Sequence, residues 1–167
     1  SGTNFPLYAP SNASLKGVPG ESVITTACGA PALVVGGQPN TYMLSLAGSS
    51  HVTVDGLTFR IPAVTFYKDN QTPFAYWWVY YVVGIYGWAN TGESCSGNTI
   101  QNCGFENLRF GIYLQGGGTP KKNWTVSNVT MTDCINPLYV DTVESSAFTD
   151  CVFHAYRPAY QGWDDPV

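Results

Sequence analysis

Carboxylates in the last part of the chain have the type and spacing that best suit acid–base chemistry. They are Asp141, Glu144, Asp164 and Asp165. Two carboxylates that flank a glycosidic bond hydrolyse it, at separations of about 5 Å for retention or 6.5–9.5 Å for inversion. A lyase instead needs a base that removes a proton and a cation that neutralises the adjacent sugar carboxylate. The four residues are therefore candidate catalytic residues, and the alternative is that each is a solvated carboxylate in a turn.

A short recurring element contains a tyrosine at a fixed position. The copies are GIYGW, GIYLQ, PLYVD and PAYQG, and their tyrosines are Tyr86, Tyr113, Tyr139 and Tyr160. Side chains alternate along a strand, so the tyrosines share an outward face with Trp88, Gln115 and Asp141. An aromatic row beside hydrogen-bonding groups suits sugar rings, so we predict a substrate-binding row here, with Asp141 as the strongest catalytic candidate. The alternative is that the tyrosines pack under a loop or a neighbouring subunit.

A second recurring segment indicates which elements position these residues. Its copies, VDGLTF, IQNCGF, VSNVTM and FTDCVF, align without gaps. They start at residues 54, 100, 126 and 148, so the intervals are 46, 26 and 22 residues. The first interval is either two turns of a repeat or one turn with a long insertion. Very short strands at this period, with turn residues between them, predict a solenoid in which each repeat makes one coil.

Equivalent positions of the repeats are expected to stack at about 4.8 Å and to form rows. The predicted interior rows are Val54, Ile100, Val126 and Phe148; Leu57, Cys103, Val129 and Cys151; and Phe59, Phe105, Met131 and Phe153. The predicted corner row is Gly56, Asn102, Asn128 and Asp150. Gly and Asn tolerate the left-handed backbone of a tight corner, and stacked Asn side chains can bond to one another. Cys103 and Cys151 are therefore predicted to be buried apolar residues, not nucleophiles.

Four motifs carry a resemblance to a known family: ESVIT, YMLSLAGSSHVTVDGLTF, NTIQNCGFENLRFGIYLQ and WTVSNVTMTDCINPLYVD. The chain resembles the right-handed parallel β-helix proteins of the pectate-lyase-like superfamily, over residues 15–163. The resemblance implies an all-β fold, a right-handed parallel β-helix (solenoid) of about five or six coils, with residues 1–167 in a single domain. It also implies the activities of polysaccharide lyases, glycosidases and phage tailspike depolymerases. The Gly-His-Gly and Arg-Ile-Lys motifs of pectin-degrading hydrolases do not occur, so no catalytic residue is carried over from the family.

Charge and hydropathy exclude two classes of partner from the prediction. The formal net charge is -4, and Lys121 and Lys122 form the largest basic cluster, so no nucleic acid is expected to bind. The apolar run Phe74–Ala89 has 16 residues, whereas a membrane-spanning helix needs about 20, so no membrane partner is expected. The insertion at residues 60–83 is rich in aromatic residues. It is expected either to line a binding groove or to contact another chain.

No cofactor and no metal-ligating residue are predicted from the sequence. Ca²⁺ stays open as a cofactor because the resemblance includes calcium-dependent lyases. The five cysteines are an odd number, which argues against a complete disulfide framework.

The leading functional prediction is a polysaccharide-processing protein, a lyase or glycosidase that is secreted or carried on a virion surface. Two alternatives stay open: a non-catalytic glycan-binding segment, and a structural solenoid of a trimeric viral spike or adhesin. Solenoid ends need caps, and the sequence has no recognisable cap at either end. We therefore expect a fragment of a larger protein, or one piece of an oligomer such as a homotrimer.

Overall fold

The computed structural model of the chain describes residues 6–25, 41–61, 82–115, 119–134 and 136–155. These residues form strands and loops, and none of them lies in an α-helix. The strands are β1 Leu7–Tyr8, β2 Ser14–Lys16, β3 Val23–Thr25, β4 Thr41–Ser45, β5 Thr53–Asp55, β6 Thr58–Arg60, β7 Val82–Gly87, β8 Thr99–Gln101, β9 Gly104–Glu106, β10 Phe110–Leu114, β11 Lys121–Lys122, β12 Thr125–Cys134, β13 Asn136–Val140, β14 Val143–Glu144 and β15 Ala147–Ala155. The predicted all-β class is confirmed.

The strands form three parallel sheets that the chain visits in turn. The five-stranded sheet has the order β1-β4-β7-β10-β13, and the two-stranded sheet pairs β11 with β14. The eight-stranded sheet has the order β2-β5-β8-β12-β9-β6-β3, with β15 paired to β12. Neighbours in a sheet are thus separated along the chain by strands of the other sheets. Equivalent positions of successive repeats therefore lie side by side.

The predicted interior rows agree with the register of the eight-stranded sheet. Val54 pairs with Ile100, Ile100 with Val126, and Val126 with Phe148. Leu15 precedes Val54 in the same row. Because Val54 and Ile100 are direct partners, the interval of 46 residues is one repeat that contains an insertion. Most of that insertion, residues 62–81, lies outside the described residues.

Large apolar side chains, three phenylalanines and one methionine, fill the row that runs through β6, β9, β12 and β15. Phe59 and Phe105 are fully buried, and their rings stack with centroids 5.1 Å apart. Met131 continues the row from Phe105, and Phe153 follows Met131 in β15. Phe153 is 45% exposed, because β15 pairs only with β12 among the described strands. The side chains of this row are therefore buried at its centre and partly exposed to solvent at β15.

The predicted corner row has the expected left-handed backbone. The φ angles are 70° at Gly56, 54° at Asn102, 50° at Asn128 and 52° at Asp150. Asn128 Nδ2 donates to Asn102 Oδ1, and Asn102 Nδ2 donates to Asp55 Oδ1, each at 2.8 Å. The bonds from Asn102 and Gln101 lower the pKa of the Asp55 carboxyl. The asparagine row is thus a hydrogen-bonded structural element.

A second left-handed corner precedes the eight-stranded sheet, and the sequence analysis did not identify it. Its residues each lie two positions before a strand: Asn12, His51, Gly97, Asn123 and Ser145. Consecutive repeats are joined there by backbone bonds such as His51 N to Ser96 O at 2.9 Å and Gly97 N to Lys122 O at 2.8 Å. Each repeat is therefore fixed at both ends of its first strand.

The five-stranded sheet approaches the interior closely at two glycines. A Cβ added at Gly84 would lie 2.6 Å from the Gly111 carbonyl oxygen and 2.6 Å from Phe105 Cδ1. A Cβ at Gly111 would lie 2.7 Å from Met131 Sδ. The side chains of the eight-stranded sheet occupy the space that a larger residue would need in β7 and β10. Both glycines thus permit the two sheets to pack together.

The four described cysteines, Cys95, Cys103, Cys134 and Cys151, are free thiols. Cys103 is buried, as predicted, whereas Cys151 in β15 is only partly buried, because β15 pairs only with β12 among the described strands. Burial raises the pKa of Cys95 and of Cys134 to about 11, so both thiols are neutral at physiological pH. Within the described ranges, no helix has the length and apolar character needed to span a membrane.

Candidate functional site

The outward face of the five-stranded sheet contains the predicted tyrosine row. Tyr113 pairs with Tyr86 on one side and with Tyr139 on the other. The ring centroids are 6.0 Å apart for Tyr86 and Tyr113, and 4.7 Å apart for Tyr113 and Tyr139. All three rings are stacked, with interplanar angles of 16° and 24°. The predicted shared register is therefore present for these three residues, whereas Tyr160 lies outside the described residues.

The row is more buried than strand alternation predicts. Tyr113 is only 7% exposed, Tyr86 is partly buried and Tyr139 is 42% exposed. The rings stack on one another, and Phe110 also packs against Tyr113, so each internal ring has a neighbour against its faces. A sugar ring cannot stack on the faces of Tyr86 or Tyr113 in this arrangement. The accessible aromatic surface of the row is concentrated at Tyr139.

Tyr42 belongs to this aromatic stack, and the sequence analysis missed it. Its ring lies 4.0 Å from that of Tyr86, nearly parallel at 6°. The strand register places Ser45, not a tyrosine, beside Tyr86 in β4. Tyr42 thus extends the stack from a different position of β4, in register with Val83. Burial, together with the proximity of Tyr42, raises the pKa of Tyr86 above its ordinary value, so its phenol is neutral.

A small apolar cluster lies beside the tyrosines on the same outward face. Val83, Phe110 and Tyr113 form its buried part, and Tyr42 and Tyr86 pack against it. Phe110 contacts Tyr113 with ring centroids 4.6 Å apart, and it is in register with Val83. The Arg109 guanidinium lies 5.4 Å from the centroid of the Phe110 ring. The outward face therefore has an apolar half near the strand starts.

Polar groups follow the tyrosine row at the strand ends. Gln115 and Asp141 directly follow β10 and β13, and Trp88 directly follows β7. The Trp88 indole Nε1–H donates to Asn90 Oδ1 at 3.1 Å. The exposed Asp141 carboxylate accepts a bond of 2.9 Å from Thr142 Oγ1. This flank matches the second row that alternation predicts beside the tyrosines.

The other predicted acids do not join Asp141 in a single described site. Glu144 lies in β14 of the two-stranded sheet, where its Oε2 pairs with Lys122 Nζ at 3.0 Å. Both partners of this ion pair are largely exposed. Asp164 and Asp165 lie outside the described residues. Asp141 is therefore the one predicted acid that the described structure places beside the tyrosines.

Lys121 is a further residue of this region that the sequence analysis did not select. Its side chain is fully buried, and Nζ donates to the Gln115 carbonyl oxygen at 2.6 Å. Burial lowers the pKa of Lys121, and the neighbouring Cys95 and Asp141 act in the opposite direction. Lys121 precedes Val126 by five residues, just as Cys95 precedes Ile100, its partner in the sheet. This spacing is the signal that would have placed a lysine on an interior row.

Among the described residues, no group of three or more His, Cys, Asp or Glu side chains is arranged to hold a metal ion. Comparisons of the chain with protein-family models, curated proteins and solved structures gave no match.

Proposed function

We propose that the chain is part of a right-handed parallel β-helix that binds a polysaccharide along the outward face of its five-stranded sheet. The β-helix is supported by the parallel sheets, the short strands and the two left-handed corner rows. The crossover connection between two parallel strands of one sheet is right-handed in nearly all known cases, which favours a right-handed coil. The observation that carries the binding proposal is the in-register row Tyr86, Tyr113 and Tyr139, with Gln115 and Asp141 at its strand ends.

The proposed ligand lies across the strands, over the exposed ring of Tyr139 and the polar strand ends. Neighbouring strands are spaced by about 4.8 Å, so groups on successive strands can contact successive parts of a chain-like ligand. Tyr139 supplies an accessible ring, whereas Gln115 and Asp141 supply polar groups for sugar hydroxyls. The stacked rings of Tyr42, Tyr86 and Tyr113 hold this surface rigid, which reduces the entropy that is lost when a ligand binds.

Affinity electrophoresis with a panel of acidic and neutral polysaccharides tests the binding proposal. Wild-type protein is expected to be retarded by at least one polymer, and Tyr139→Ala to lose about tenfold in affinity for it. Phe153→Ala is the matched control, because the Phe153 ring is exposed to a similar degree but lies in β15 of the eight-stranded sheet. Equal losses in both variants, or no retardation of the wild type by any polymer, would reject the proposed surface.

Cleavage of the bound polymer is a second candidate function, favoured by the exposed carboxylate of Asp141 at the end of the tyrosine row. A lyase produces an unsaturated sugar that absorbs in the ultraviolet, whereas a hydrolase produces reducing ends without that absorbance. Asp141→Asn is expected to abolish either product and to retain binding. Unchanged turnover in this variant would exclude Asp141 as a catalytic residue.

A further inference from the structure

Lys121 breaks the pattern of the interior row on which it lies. Its partner in the next repeat is Val143, and its counterpart in the preceding repeat is Cys95. Cys95 is fully buried and Val143 packs against the core, so the row otherwise contains small or apolar groups. A buried ammonium group is costly unless it is bonded and paired. A lysine at this position therefore needs a compensating interaction.

The Lys121 side chain and backbone join the ends of two neighbouring strands on the candidate surface. Nζ donates to the Gln115 carbonyl oxygen at 2.6 Å, directly after β10. The Lys121 backbone N–H donates to the Thr142 carbonyl oxygen at 3.0 Å, directly after Asp141. The Asp141 N–H in turn donates to the Leu114 carbonyl oxygen at 2.8 Å. These three bonds close a ring of contacts around Gln115 and Asp141.

The charged groups near the Lys121 ammonium favour the same ring of contacts around Gln115 and Asp141. The two titratable groups that act on the Lys121 ammonium are Asp141, which follows β13, and Cys95, which precedes β8. The Cys95 thiol is neutral at physiological pH, because burial raises its pKa to about 11. Asp141 therefore supplies the neighbouring negative charge. Lys122, the next residue, points away from this site and pairs with Glu144.

We propose that Lys121 is a positioning residue that holds Gln115 and Asp141 in place at the end of the tyrosine row for a bound polysaccharide. The ligand in this proposal rests on the proposed function. The structural effect of Lys121 on Gln115 and Asp141 does not. The ammonium acts from below the surface and does not touch the ligand. It fixes the Gln115 backbone by a hydrogen bond, and the Lys121 N–H donates to the Thr142 carbonyl oxygen next to Asp141.

Lys121→Met tests the proposal, with Lys122→Met as the matched control from the same strand. In the full chain, backbone amide exchange measured by NMR is expected to accelerate at least tenfold at Gln115 and Asp141 in the Lys121 variant. Exchange in β9 and in the control is expected to stay unchanged. Uniform acceleration across the chain, or no acceleration at all, would overturn the positioning role. If Lys121→Met does not fold, Lys121→Gln, which keeps an N–H donor without the charge, is measured instead.

A pH series separates positioning from a purely structural role. The folded-state pKa of Lys121 lies below the ordinary value of 10.5. At pH values between this folded-state pKa and 10.5, the unfolded chain binds more protons than the folded chain. The stability of the wild type relative to Lys121→Met is therefore expected to rise with pH in this range. Affinity for the polysaccharide that the wild type binds is expected to fall over the same window, and to stay flat in Lys121→Met. Affinity that rises together with stability would overturn the proposal. Failure of the wild type to bind any polymer rejects the proposed function, and the exchange measurement still decides the role of Lys121.

Discussion

At Asn102, one residue supplies both a left-handed backbone and two side-chain hydrogen bonds. Its φ of 54° places a Cβ in a region that costs most L-residues about 1–2 kcal/mol. Its amide group connects Asp55 in the preceding repeat with Asn128 in the next. Asparagine tolerates this conformation because its short polar side chain bonds locally. The corner row therefore stabilises neighbouring repeats in two ways: its residues tolerate the left-handed backbone, and their side chains form hydrogen bonds between repeats.

Two substitutions at Asn102 separate these contributions. Asn102→Ala removes the side-chain bonds and keeps a Cβ at positive φ, whereas Asn102→Gly removes the bonds and relieves the backbone strain. We expect Asn102→Gly to lower the free energy of unfolding by about 1 kcal/mol, and Asn102→Ala to lower it by about 1 kcal/mol more. Urea unfolding monitored by circular dichroism measures both values. Equal losses in the two variants would show that the backbone conformation contributes nothing.

The corner role of Asn102 was predicted from the sequence, whereas the burial of Lys121 was not. Asn102 recurs as Gly, Asn or Asp in an aligned segment, so its position in the repeat identifies its role. Lys121 lies outside the aligned segments, and a lysine in a polar stretch is ordinarily solvated. Its burial depends on the two-stranded sheet that pairs it with Val143, and strands of two residues leave no pattern of their own apart from the spacing of five residues before the aligned segments that Lys121 shares with Cys95.

At the scale of the strands, the five-stranded sheet approaches the interior most closely at two glycines, which alternate with buried residues such as Ile85 and Ile112. Gly84 in β7 and Gly111 in β10 lie over Phe105 and Met131 of the eight-stranded sheet. The large residues of one sheet thus fill the space left by glycines in the other. This interdigitation leaves little room for an added methyl group, because protein interiors are close-packed.

Gly84→Ala tests this packing, and Gly104→Ala is its control in β9. The added Cβ at Gly84 meets a backbone oxygen and a ring carbon at 2.6 Å, whereas at Gly104 it meets Thr58 Oγ1 at 3.2 Å, which can move. We expect Gly84→Ala to lower the free energy of unfolding by about 3 kcal/mol, and Gly104→Ala to change it by less than about 1 kcal/mol. Thermal and urea unfolding provide the measurement. A smaller loss at Gly84 than at Gly104 would contradict the proposed contact between the sheets.

The same strands show where prediction from the sequence ends. The register of Tyr86, Tyr113 and Tyr139 follows from three aligned motifs. Their burial does not follow from these motifs, because it depends on which side chains pack around each ring. Tyr42 stacks on Tyr86 from a different position in its own strand, since Ser45 occupies the equivalent position. Strand alternation predicts which face a side chain occupies, but not which neighbours cover it there.

For the whole molecule, the β-helix that we propose implies a gradient of stability along its stacked repeats. In such an arrangement each repeat contacts only its neighbours, so stability is approximately a sum of local terms. Among the described strands, the central strands β8 and β9 have partners on both sides, whereas β15 pairs only with β12, and β2 and β3 pair only with β5 and β6. The exposure of Phe153 and the full burial of Phe105 in the same row reflect this difference.

Hydrogen exchange measured by mass spectrometry tests this gradient, because amides open locally with free energies that range up to the global value. Peptides that cover β8 and β9 are expected to exchange slowest, and those that cover β2, β3 and β15 at least tenfold faster. The expected cause is that removing an end repeat breaks one interface, whereas opening a central repeat breaks two. Dilute denaturant is expected to accelerate the end repeats first. Equal protection in all repeats at every denaturant concentration would mean that the chain opens as one cooperative unit, and the nearest-neighbour description would then be wrong.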